Sequence, residues 1–156
     1  MKKNKQREEE LFSAESYIAH LSSDQRIARM KNYIQHGSVS TYEHVRSVAK
    51  TSVVLNQRLH LHADERRLIK GAFLHDYYLY DWHDSENESG RMHGFKHPKI
   101  AMDKADRDFH LTDLERNMIR SHMWPLTLFH MPKSREAWLL CVADKIVSTH
   151  ETLLKR

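Results

Sequence analysis

Apolar residues recur at three- and four-residue intervals along most of the chain, and polar or proline-marked breaks separate the periodic stretches. The pattern predicts a first helix over about Glu8 to Leu21 and a second from Asp24 to about Gln35, with Gly37 as its stop. A third helix starts at Ser40, where Glu43 completes a capping box, and carries the stripe Val45, Val48, Ala49, Leu55, Leu59. Asp64 caps a fourth, whose inner face reads Leu68, Ala72 and His75. From Tyr77 to Lys96 the periodicity fails, leaving a long aromatic and polar loop of the kind that more often serves function than connection. His97-Pro98 marks the next helix start, with Ile100, Ala101, Ala105 and Phe109 inward. Thr112 and Glu115 repeat the capping box ahead of Leu114, Met118 and His122. A last helix from about Ser134 has Ala137, Leu140, Cys141, Asp144 and Val147 or Ser148 on its inner face. The expected fold is all-α: a compact single-domain helical bundle. Helices in residues 1–37 pack on a core domain of residues 38–151, the two forming one globular unit.

Composition agrees with this picture. With 156 residues, four glycines and three prolines, the chain suits one helical domain. The single cysteine, Cys141, excludes an internal disulfide and makes a reducing cytoplasm the natural setting; its place on an apolar face makes it a core residue. No apolar run approaches membrane-spanning length, and the charged start Met1–Glu10 is not a secretory signal. The net charge of +4 is mild, and the strongest basic run, Lys2 to Arg7, is answered at once by three glutamates. No nucleic-acid partner is expected; a small anionic substrate suits the charge, and a homodimer remains open.

The unusual feature is the 13 histidines, and their positions matter more than their number. His44, His75, Asp76, His122 and Asp144 all fall on otherwise apolar helix faces, from four different helices, and His97 stands at the start of another. One inward histidine is ordinarily a satisfied core residue. Several buried imidazoles and carboxylates together need mutual compensation, which a divalent metal supplies most simply. The donor set suits Mn, Fe, Co, Ni or Zn, and Mg where carboxylates dominate.

The order His44, His75-Asp76, His97, His122, Asp144 resembles the HD-domain superfamily of metal-dependent phosphohydrolases, over roughly Ser38 to Glu151. Local sequence agrees in Tyr42-Glu43-His44-Val45, Ala72-Phe73-Leu74-His75-Asp76 and Val142-Ala143-Asp144-Lys145. The resemblance implies an HD-type bundle holding two divalent metal ions. One would sit on His44, His75, Asp76 and Asp144. The other would use His97 and His122, with Asp76 bridging and orienting the attacking water. His93, four residues before His97, competes for the same role, but the His97-Pro98 pair matches the family's helix start. Many relatives carry a lysine three residues after the paired aspartate, where this chain has Leu79. Phosphate contact would then come from Arg46, Arg91, Lys96, Lys99 or Lys145. His93 and Trp124 are further substrate candidates, although Trp124 also suits structural packing. The implied activity is hydrolysis of a phosphoester or phosphoanhydride, of a nucleotide for preference, by a metal-activated water. The competing reading is a helical sensor or interaction module that binds a nucleotide or metal without turnover.

Overall fold

The computed structural model describes residues 13–154. The beginning of the first expected helix and the charged Lys2–Arg7 run lie outside them. Among the described residues the chain is all-α, with one short hairpin. The elements are α1 (Ala14–Ser22), α2 (Gln25–Ala28), β1 (Ile34–His36), β2 (Val39–Ser40), α3 (Thr41–Arg58), α4 (Glu65–Leu74), α5 (His93–Phe109), α6 (Asp113–Ser121) and α7 (Arg135–Leu154). Short 3-10 turns cover Arg29–Asn32 and Gly90–Met92.

Both expected capping boxes form. The Ser40 hydroxyl accepts from the Glu43 amide at 3.2 Å, and the Glu43 carboxylate accepts from the Ser40 amide at 2.9 Å. Thr112 and Glu115 repeat the exchange at the start of α6. Each box satisfies amides that a helix start leaves open, so Ser40→Ala should lower the unfolding free energy by about 1 kcal/mol, read from the denaturant midpoint.

Behind the caps, α3 buries His44, Val45, Val48, Ala49, Ser52 and Val53, and packs on α4 and α7. α6 packs against α5 and α7. Leu68, Ile69, Phe73, Met118, Ile119 and Leu140 close the core between these helices, all fully buried. Gly71 lets α4 approach α6 closely, since a β-carbon there would lie 2.4 Å from Met118 Cε.

Three expectations change. The second helix ends early: Gly37, at φ 55°, turns an antiparallel β1–β2 hairpin, and the Thr41 amide donates to the Tyr33 carbonyl at 2.8 Å. Strand alternation buries Gln35 and leaves Ile34 exposed, which a helix carrying Ile27, Met30 and Ile34 on one face would not do. The fifth helix starts at His93, one turn before His97, with Pro98 inside it. Pro98 lies near the helix start and removes only the N–H that would reach Gly94. Lastly, α3 stops at Arg58, so Leu59 falls beyond it and is exposed.

Candidate metal centre

Five elements deliver the polar groups to one place. His44 comes from the first turn of α3, His97 from α5 and Asp144 from the middle of α7. His75 and His122 occupy the C-terminal caps of α4 and α6, with Asp76 directly after His75. All six are buried, and His44, His75 and His122 have no exposed surface.

Backbone carbonyls set the orientation of three rings. Nδ1 of His75 lies 2.6 Å from the Ala72 carbonyl, that of His122 2.7 Å from Ile119, and that of His97 2.9 Å from His93. A carbonyl only accepts, so each Nδ1 carries the hydrogen and each neutral Nε2 holds a lone pair. For His44 the acceptor is Glu151 Oε2 at 2.8 Å. All four Nε2 atoms converge on two carboxylates. His44 Nε2 is 3.0 Å from Asp144 Oδ1, and His75 Nε2 is 3.3 Å from Asp76 Oδ2. His97 Nε2 is 3.2 Å from Asp76 Oδ1, with His122 Nε2 at 3.5 Å from the same oxygen. Asp76 thus stands between the two histidine pairs.

Two features mark the cluster as incomplete by itself. His75 Nε2 and Asp76 Oδ1 are buried without an aligned hydrogen-bond partner. His97 Nε2 and His122 Nε2 approach to 2.8 Å, a distance at which two lone pairs repel unless a shared proton or a metal ion lies between them. Protons supply part of the compensation. Burial works to lower the pKa of His44, but hydrogen bonds to Asp144 and Glu151 and the nearby carboxylate charges outweigh it and raise the value to about 9. His75 is likewise raised, against burial, by the Asp76 charge and by Asp144. Burial acts to raise Asp76 and Asp144, yet the histidines hold both well below the carboxylate range. His122 is lowered, chiefly by burial. Divalent metals take the place of such protons. His44, His75 and Asp144 form one group whose ligand atoms lie within 4.8 Å of each other, and His75, Asp76 and His122 form a second. The mixed imidazole and carboxylate set fits a divalent transition ion.

The centre opens to a cleft of about 610 Å³, whose walls include Trp82, Met123, Pro125 and Leu126 with Gln35 and Lys145. His93 also lines it, stacked on His97 with ring centres 4.4 Å apart and on Trp82 at 5.2 Å. Burial, then the neighbouring His97, push the pKa of His93 down to about 3, so its ring is neutral.

Other candidates lie elsewhere. Trp124 packs edge-on against Trp138 at 5.1 Å and is not part of the lining. Lys96, Arg91 and Lys99 are exposed outside the cleft, Lys99 paired with Asp103. Arg46 is half-buried away from it, and Leu79 packs against the core. Cys141 is buried in the core.

Four residues that contribute were not among those singled out from the sequence. Gln35 donates to Asp76 Oδ2 at 2.8 Å and accepts from the Tyr78 hydroxyl at 2.6 Å; the expectation of a helix through it hid that role. His36 and Trp82 line the cleft from the hairpin and the long loop. Glu151 follows Asp144 by seven residues, and that spacing on the inner face of α7 was the available signal.

No helix among the described residues is long and apolar enough to cross a membrane. No curated protein and no solved structure gives a match to the chain. The HD domain family matches residues 41–148, a span that opens on the first residue of α3 and contains all six residues of the cluster. With well over half of its length matched, and His44, His75-Asp76, His97, His122 and Asp144 gathered in one buried cluster beside the cleft, the chain belongs to the HD domain family.

Proposed function

We propose that the protein is a metal-dependent phosphohydrolase acting on a small phosphorylated molecule, with nucleotides the first class to test. The observation that carries this reading is the convergence of four imidazole Nε2 atoms and two carboxylates in one cluster, of which Asp76, His97, His122 and Asp144 face an open cleft, including the 2.8 Å approach of His97 and His122. A purely structural polar cluster has no need to bring two imidazole nitrogens, those of His97 and His122, against each other beside a cavity.

His44, His75, Asp76 and Asp144 would hold one divalent ion, and His97 and His122 a second, with Asp76 shared. When bound, such ions polarise a phosphoryl oxygen and lower the pKa of water so that it attacks near neutral pH. The side chains around them do the rest. Asp76 offers one oxygen to each histidine pair, and the Gln35 amide holds its Oδ2 in place. On this reading Asp76 would orient the attacking water. Phosphorus gains the water oxygen and loses the leaving-group oxygen, so no side-chain nucleophile is required. Lys145 lines the cleft, and its ammonium donates to the His122 carbonyl at 3.3 Å and to Cys141 Sγ at 3.1 Å. It can exchange these for a phosphoryl oxygen. Lys145→Ala should raise KM about 10-fold, equal to about 1.4 kcal/mol, with a smaller effect on kcat, read from steady-state kinetics.

A hydrolysis screen over nucleotides, dinucleoside polyphosphates and cyclic nucleotides, run with Mn, Fe and Mg, tests the reading. Metal-dependent release of phosphate or nucleotide supports it. Tight ligand binding with no turnover under any metal would favour a sensor instead, the outcome that Leu79 in place of the family's lysine would suit.

A further inference from the structure

Glu151 stands outside the six-residue cluster yet is nearly as buried, with 2% of its side chain exposed. It lies two turns beyond Asp144 on the same face of α7, three residues past the end of the span matched to the HD domain. Its Oε2 accepts from His44 Nδ1 at 2.8 Å, while Oε1 is buried without a partner. A carboxylate is rarely kept in such a place without a task. His36 brings a ring nitrogen near the same pair, but Nδ1 of His44 is already taken by Glu151, so these three residues do not make a separate centre.

The cluster is asymmetric in this respect. His75, His97 and His122 are each oriented by a neutral backbone carbonyl, and His44 alone by a carboxylate. A carboxylate acceptor fixes the Nδ1–H form and makes Nε2 a stronger donor to a metal than a carbonyl acceptor does. We infer that Glu151 is a positioning residue that strengthens the ion site on the His44 side of the centre and leaves the His97–His122 side unaffected. The inference rests on the two-ion reading proposed above.

The test titrates the full chain, freed of metal by chelation, with Mn²⁺ by equilibrium dialysis, resolving the stepwise affinities of wild type, Glu151→Met and Glu151→Gln. Wild type should bind two ions. Glu151→Met should weaken one of them by about 10–100-fold and leave the other within about 2-fold. Glu151→Gln keeps an acceptor but not the charge, so it should weaken the same ion by only a few-fold. A variant that weakens both ions equally, or neither, overturns the inference while leaving the two-ion centre standing. Wild type that binds no Mn²⁺ overturns the centre itself. If Glu151→Met does not fold, Glu151→Gln decides: weakening confined to one ion supports the inference, and wild-type affinities at both sites contradict it.

Discussion

Asp76→Ala is expected to lower kcat/KM for phosphoester hydrolysis by about 10²–10³-fold or more, the scale of removing one preorganised charged group from a site of this kind. Among the described residues its carboxylate is the one that approaches Nε2 atoms on both sides of the cluster. Its Oδ1 lies 3.2 Å from His97 Nε2, and its Oδ2 lies 3.3 Å from His75 Nε2 and 3.5 Å from His44 Nε2. Alanine leaves four inward imidazoles with Asp144 as the remaining carboxylate at the centre and deprives Gln35 Nε2 of its acceptor. Unaltered hydrolysis by Asp76→Ala would place the chemistry elsewhere. Asp76→Asn, of similar shape, separates charge from packing: activity should fall comparably while the fold, followed by circular dichroism, is kept.

Removing the metal should give the second large effect. At an ion concentration 1,000 times Kd, binding stabilises a folded protein by about 4 kcal/mol, and for a chain of this size that amounts to a change of about 8–16 °C in Tm. Chelation is expected to lower Tm by this amount, and the difference should grow with pH. His44 has its pKa raised from 6.5 to about 9, so its contribution is fully present below pH 6.5 and is lost as pH rises through about 9; His75 acts in the same direction. His93 and His122 have lowered values, so they cost stability below pH 6.5, where the unfolded chain takes up protons that the folded one does not. The metal-free protein should therefore be most stable near pH 6.5 and lose stability toward pH 9. The loaded protein should not show the alkaline loss, because its ligands are already deprotonated. A Tm indifferent to chelation at every pH would contradict a metal centre.

The parts of the structure that depend on a few neighbouring residues were readable in advance. The Ser40–Glu43 and Thr112–Glu115 boxes are four-residue patterns, and both form. His44, His75, His122 and Asp144 stood out because helical spacing put them among Val48, Ala72, Met118 and Leu140, and burial follows from that spacing. What depends on chain reversal was not readable. The hairpin at Gly37 carries Gln35 to Asp76 across 41 residues of sequence, and nothing local in Ile34-Gln35-His36 distinguishes a strand from the end of a helix. The start of α5 was misplaced because Pro98 reads as a helix boundary, whereas a proline one turn inside costs a single amide bond. Trp124 sits two residues after His122, but the chain turns there and sends the ring to Trp138. Sequence neighbours of a cluster residue need not face the cluster.

The most direct test of the centre is an anomalous-scattering map from crystals of the full chain loaded with Mn²⁺. Two peaks about 3.5–4 Å apart are expected, one against His44, His75 and Asp144, the other against His97 and His122, with Asp76 between them. No peak among these six side chains, or Mn²⁺ bound only elsewhere on the surface, would contradict the proposed centre and the hydrolysis assigned to it.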